Sequence, residues 1–251
     1  MITHDAIPFD DRGLLLGEGL FETLLAVDGE LRHLDAHLDR MAAGCVVLGM
    51  PFDRAEAEGL CRSTVPPSGR MAVRLTLTGG SGGRGLDRPA DLKPRLFARV
   101  AAVAPVTTPA RVMISHVRRN EGSPASRLKT LAYVDNVLAR TEAVAAGVDE
   151  ALMLNNRGDV VCGAAANVFW VEGGRLFTPA LDCGVLPGVT RARLLAAQAV
   201  EEVAAGPQVL EQAEAVFLTN SLIGVRPVSR LGERTFAPHP LVERLRSALP
   251  A

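Results

Sequence analysis

Aromatic side chains are scarce in this chain, with eight Phe, one Tyr and one Trp among 251 residues. A surface that binds nucleic acid by stacking bases on aromatic rings is therefore not expected. A surplus of one charge is missing too. The 27 basic and 28 acidic residues leave a formal charge of -1, so no global field draws the chain to nucleic acid or to an anionic membrane. No window approaches the roughly 18 unbroken apolar residues of a membrane helix. Residues 1–13, MITHDAIPFDDRG, lack a basic region followed by a long apolar stretch, so a signal peptide is not expected. The cysteines Cys45, Cys61, Cys162 and Cys183 form neither a C-x-x-C pair nor a His/Cys set at zinc spacing. They read as free thiols of a reduced compartment, which points to the cytoplasm.

What is present is ordinary for a soluble protein: 48% hydrophobic and 22% charged residues, at a length that suits one large domain or two modest ones. Leu34, Leu38, Met41, Ala42 and Cys45 recur at helical spacing and predict a helix over 32–48. Asp53 predicts the N-cap of a second helix over 53–62. Alternation of Met71, Val73, Leu75 and Leu77 with more polar neighbours predicts a half-buried strand, and 95–103 a further one. The unperiodic APVTTPA at 104–110 reads as a linker between a domain over 1–103 and a larger one over 111–251. In the second, a strand at 111–117 and a polar loop at 118–128 precede a helix at about 130–147. Short strands are expected at 150–154, 159–162, 166–171 and 175–178, then a helix from 189 to 204, a strand pair within 214–230 and a helix at 239–248. The class expected is α+β.

The run Gly79-Gly80-Ser81-Gly82-Gly83-Arg84-Gly85 contains G-x-G-x-x-G. Two prolines follow where a dinucleotide site needs a helix, and no Lys-Ser/Thr follows for a P-loop. The run reads as a mobile loop, or as a loop over an active site with Arg84 free to meet a substrate carboxylate. His33 and His37 stand four apart, a spacing that can hold a metal. Without a third ligand or an H-E-x-x-H frame, two solvated histidines are the simpler expectation. Asp182 and Cys183 could meet His239, but nothing in the spacing fixes that geometry. Leu186-Pro187-Gly188-Val189-Thr190-Arg191 turns into a helix whose unsatisfied N–H groups could hold an anion, and Thr219-Asn220-Ser221 adds hydroxyls. Both also read as plain turns. Lys129 stands where an irregular loop meets a helix, close to the chain's one tyrosine, Tyr133. A lysine in a partly dry pocket can act as amine nucleophile and proton carrier.

In order along the chain, Asp11-Arg12-Gly13, Gly17-Glu18-Gly19-Leu20-Phe21-Glu22-Thr23, His37-Leu38-Asp39-Arg40, Lys129-Thr130-Leu131-Ala132-Tyr133, Asn167-Val168-Phe169 and Leu186-Pro187-Gly188-Val189-Thr190-Arg191 resemble the class IV aminotransferase family, the fold-type-IV pyridoxal-phosphate enzymes. The resemblance implies a small N-terminal α/β domain, a larger C-terminal domain built on a barrel-like sheet, and a homodimer. It implies that Lys129 carries the cofactor as a Schiff base and moves protons. It further implies that Arg40, Val189, Thr190 and Ser221 bind the cofactor phosphate and that Tyr133 lies near its ring. The family normally has Glu where this chain has Cys162, opposite the pyridine nitrogen, and a neutral thiol holds a proton there far less well. Ala132 also replaces a common Asn.

Within the family, the glycine loop, the short length and Ala165-Ala166-Asn167-Val168-Phe169-Trp170 resemble the aminodeoxychorismate lyases. The expected reaction is conversion of 4-amino-4-deoxychorismate to 4-aminobenzoate and pyruvate, with a small carboxylate substrate held by Arg84 or by one of Arg118, Arg119 and Arg127. The alternatives are an aminotransferase acting on a branched-chain or D-amino acid, and a cofactor-binding protein that has lost catalysis.

Overall fold

The computed structural model describes residues 6–251. Residues 1–5, part of the stretch read for a leader, lie outside the described residues. The described residues form two compact units, one of residues 6–104 with 129–132, the other of 105–128 with 133–251. The short stretch 129–132, expected within the second domain, thus belongs with the first.

The first unit runs α1 (Arg12–Leu16), β1 (Gly19–Val27), β2 (Glu30–Leu31), α2 (Leu34–Leu48), α3 (Arg54–Thr64), β3 (Arg70–Thr78) and β4 (Arg95–Ala102). Its antiparallel sheet has the order β2-β1-β3-β4. Alternation decides its faces. Leu20, Leu24, Val73, Leu75 and Leu77 are buried, as are Leu34, Leu38, Met41 and Cys45 of α2. The helix lies so close to β1 that a Cβ on Gly44 would meet Leu20 Cδ1 at 2.8 Å. Asp53 caps α3 as expected, accepting from the Glu56 amide at 3.0 Å.

The glycine-rich run is not left to wander. Arg12, 4% exposed, pairs with Glu18 and donates to the carbonyls of Leu86 and Asp87 at 3.1 and 2.9 Å. Arg88 also pairs with Glu18. Gly83 sits at φ +84, and a Cβ there would come within 2.1 Å of the Asp87 carbonyl oxygen, so only glycine lets the loop fold back on itself. Arg12→Ala leaves Glu18 short of a partner and the Leu86 and Asp87 carbonyls without their donor. It is expected to cost about 3 kcal/mol and to speed amide hydrogen exchange over 79–94, as mass spectrometry would read.

The second unit comprises β5 (Ala110–Arg119), α4 (Val134–Ala145), β6 (Glu150–Asn155), β7 (Val160–Gly163), β8 (Asn167–Glu172), β9 (Arg175–Pro179), α5 (Val189–Ala197), β10 (Val200–Val203), α6 (Gln208–Gln212), β11 (Ala215–Asn220), β12 (Gly224–Leu231), β13 (Arg234–Thr235) and α7 (Pro240–Ala248). The mixed sheet has the order β10-β9-β8-β11-β12-β5-β6-β7, with β13 on β12. Both faces are covered. On β11, Val216 and Leu218 join one core with Trp170 and Leu152, while Ala215 and Phe217 join another with Phe169 and Leu194. The fold is α+β, as expected. The helix expected over 189–204 ends at Ala197, because Val200–Val203 pairs in parallel with β9.

No helix among the described residues is long and apolar enough to cross a membrane, and no cluster of three His, Cys, Asp or Glu there could hold a metal ion.

Candidate active site

Lys129 does not open a helix. Its carbonyl accepts from the Phe21 amide at 2.8 Å, and the Leu131 amide donates to the Gly19 carbonyl at 3.0 Å. Lys129–Ala132 is therefore an extended segment paired with the start of β1, and α4 begins only at Val134. These backbone bonds fix the lysine against one strand. Its half-buried side chain places Nζ over the Phe21 ring, 4.1 Å from the centroid. Arg74 of β3 places its guanidinium carbon 3.7 Å from the same centroid.

The next residue of β1, Glu22, points to the other face and is 1% exposed. Its carboxylate accepts from Arg40 Nε at 2.7 Å and Arg40 Nη2 at 2.5 Å, and faces His37 Nδ1 at 2.7 Å. Burial by itself pushes this carboxyl upward. The Arg40 guanidinium and the His37 ring outweigh that and hold it down at about 2. One expectation changes here. His37 is fully buried rather than solvated, while His33 is exposed at φ 55. Arg40, expected at a phosphate, is oriented by a buried carboxylate that sequence reading had not singled out. Lys129 and Arg40 thus attach to neighbouring residues of one strand, on its two faces.

Arg84 is exposed on the glycine loop, its backbone bridged to Asp87. Of the other arginines considered for the substrate, Arg118 is exposed. Arg119 is buried and donates to the Gly184 carbonyl and Asn136 Oδ1, both at 3.0 Å, and to the Ser126 carbonyl. It fastens the loop before Lys129 to α4 and leaves little of its guanidinium for a ligand. Arg127 ends a short 3₁₀ turn over Pro124–Arg127.

In the second unit, three features suit a phosphate ester. No side chain among the described residues caps the start of α5, and its first turn carries no acid, so its N–H groups and dipole favour an anion. Gly188 precedes it, and a Cβ there would lie 2.0 Å from Asn167 Oδ1, so any larger residue would displace that side chain. Thr219, the cross-strand partner of Asn167, is fully buried, and its hydroxyl has no hydrogen-bond partner among the described residues. Val189 and Thr190 are buried at the helix start. Ser221 lies in the turn after β11, where Asn220 Oδ1 accepts from the amides of Leu222 and Ile223 at 2.9 and 3.0 Å. Tyr133 stands at the N-cap of α4, beside a cavity also lined by Asn136, Arg140, Ala164 and Ala165. Cys162, on β7, is buried, and burial pushes its thiol up despite the nearby Arg119. It is therefore a neutral group at neutral pH.

The family model described as amino-transferase class IV matches residues 19–231. A putative branched-chain-amino-acid aminotransferase of Methanocaldococcus jannaschii is 34% identical over 238 residues, 89% of this chain and 82% of that protein. An aminodeoxychorismate lyase of Bacillus subtilis is 30% identical over 249 residues, 93% and 84% of the two chains. The crystal structure of a putative 4-amino-4-deoxychorismate lyase from Legionella pneumophila superposes with a TM-score of 0.89 at 30% identity, covering 98% of this chain and 95% of that one. The chain belongs to the class IV aminotransferase family, whose members are pyridoxal-phosphate-dependent enzymes.

Proposed function

We propose that this chain is a pyridoxal-phosphate-dependent lyase that converts 4-amino-4-deoxychorismate into 4-aminobenzoate and pyruvate. The observation that carries this reading is the likeness to aminodeoxychorismate lyases in sequence and structure over nearly the whole of both chains. The bound cofactor supplies an electron sink for the carbon that bears the substrate amine. On the first unit, Lys129 would hold the cofactor covalently, yield that place to the substrate amine, and take the proton from the amine-bearing carbon. Arg40, held rigid by Glu22, would meet the phosphate. On the second unit, the start of α5 at Val189 and Thr190, with Ser221 and the unpartnered Thr219 hydroxyl, would donate to phosphate oxygens. Tyr133 would flank the ring. The cytoplasm and a homodimer belong to the same reading.

Cys162 bears on which reaction dominates. A neutral buried thiol would not hold a proton on the ring nitrogen, which weakens the sink. Elimination that aromatises the substrate ring tolerates a weaker sink than amine transfer does. Cys162→Glu is therefore expected to raise keto-acid-dependent amine transfer at least severalfold while leaving the lyase rate within about twofold. Unchanged transfer in that variant would remove this account. The relative at 34% identity favours a second reading, an aminotransferase acting on a small amino acid. Pyruvate release from 4-amino-4-deoxychorismate, set against amine transfer to a keto acid by the same preparation, separates the two.

A further inference from the structure

In the second unit, β7 passes to β8 through one tight turn, closed by the Gly163 amide on the Ala166 carbonyl at 2.7 Å. What this unit offers the cofactor branches from that turn. Cys162 stands just before it and Asn167 just after. Asn167 ties the turn to the approach to α5, donating to the Leu186 carbonyl at 2.9 Å. Asn220 Nδ2 donates to the Ala165 carbonyl at 3.0 Å, while its Oδ1 accepts the Leu222 and Ile223 amides of the turn that holds Ser221. From α4, Asn136 Nδ2 donates to the Ala164 carbonyl at 2.8 Å, and Arg119 holds Asn136 in place.

Side-chain amides thus hold the carbonyls of the turn, and one carboxyl holds its N–H groups. Glu150, at the start of β6, is buried. Its Oε1 accepts from the Ala151 and Ala164 amides at 3.0 and 3.1 Å, and its Oε2 from the Ala165 amide at 3.2 Å. Successive amides aimed one way form a concavity for an anion, and Glu150 fills it from within the chain. Burial pushes this carboxyl up despite those amides and the nearby Arg140, so its charge adds little to stability. What it adds is direction. With both oxygens engaged, the turn has one seating.

We propose that Glu150 is a positioning residue of the active site. By holding the Ala164 and Ala165 amides it sets the turn that joins Cys162 to the supports of α5 and of Ser221, and so fixes the ring side and the phosphate side of this unit's cofactor seat relative to each other. This rests on the reading of Cys162, the α5 start and Ser221 as cofactor contacts, whichever reaction follows.

Glu150→Gln separates position from packing. The side-chain amide keeps the volume and leaves an oxygen for the Ala151 and Ala164 amides, but turns an NH2 toward the Ala165 N–H, so one bond is lost. A thermal melt without cofactor is expected to stay within a few degrees of wild type, because a buried charge leaves with that bond. Titration with pyridoxal phosphate, followed by visible absorbance and circular dichroism, is expected to show binding roughly fivefold to fiftyfold weaker and an altered dichroism band. Asn220→Ala releases the Ala165 carbonyl on the half-buried side of the same turn. Since both changes act through one residue, the double variant should lose less affinity than the product of the two single losses. Wild-type affinity and dichroism in Glu150→Gln, or losses that simply multiply, overturn the proposal. So does a Glu150→Gln protein without a cooperative melt, which makes Glu150 a residue of the fold alone. A wild type that takes up no pyridoxal phosphate removes the cofactor reading itself, and the proposal with it.

Discussion

Lys129→Ala is expected to erase the visible absorbance band of the cofactor-loaded protein and to lower turnover by at least about 10³-fold. The fold should survive, because Lys129 holds its place by backbone bonds. Its carbonyl takes the Phe21 amide and the neighbouring Leu131 amide donates to Gly19, and neither bond needs the side chain. The side chain's seat over the Phe21 ring is worth about 0.5–1 kcal/mol. Absorbance, lyase assay and a thermal melt on one preparation separate the outcomes. A variant that kept the band and the activity would remove Lys129 from the chemistry. One that lost both along with its cooperative melt would make it structural.

Glu22 should govern stability as strongly as Lys129 governs chemistry. It is a buried carboxylate with Arg40 and His37 as its partners. Removing it leaves a guanidinium, 14% exposed, without its paired charge. Glu22→Ala is expected to cost about 3–5 kcal/mol in a denaturant titration, and to lower cofactor affinity, because the arginine is no longer held. The pH dependence has a definite sign. Folding depresses this carboxyl from 4.5 to about 2, so the unfolded chain binds the proton first. The stabilisation is complete above about pH 4.5 and drains away as pH falls toward 2, a change on the order of 3 kcal/mol. Glu22→Gln should lack that component of the acid slope. An identical slope in wild type and Glu22→Gln would show that other carboxylates account for it.

Much of the fold was legible in order along the chain. Periodicity places α2, β3 and the terminal helix, and Asp53 marks the start of α3, because these signals are local. A helix face repeats within one turn, and a cap bonds an amide three residues on. Where the local signal was silent or misleading, partners distant in sequence had decided. GLFETLLAV at 19–27 shows no clean alternation, since Leu20 and Leu24 face α2 while Phe21 and Leu25 are also buried. Residues 200–203 continue a helical pattern yet pair with β9. Residues 130–132, read as the start of a helix, are spent on β1 instead.

The site divides in the same way. The ordered motifs, with the lysine and the helix start at Gly188, are properties of the sequence by itself, as is the substitution at Cys162. They settle the family and the chemistry it uses. Only the tertiary structure could show that Lys129 lies over Phe21 with Arg74 beside the same ring, or that Arg40 is gripped by Glu22, which also meets buried His37. The physical reason is strand register. It brings together residues some 50 to 110 positions apart, such as Phe21, Arg74 and Lys129, and no short-range pattern encodes which of them will meet.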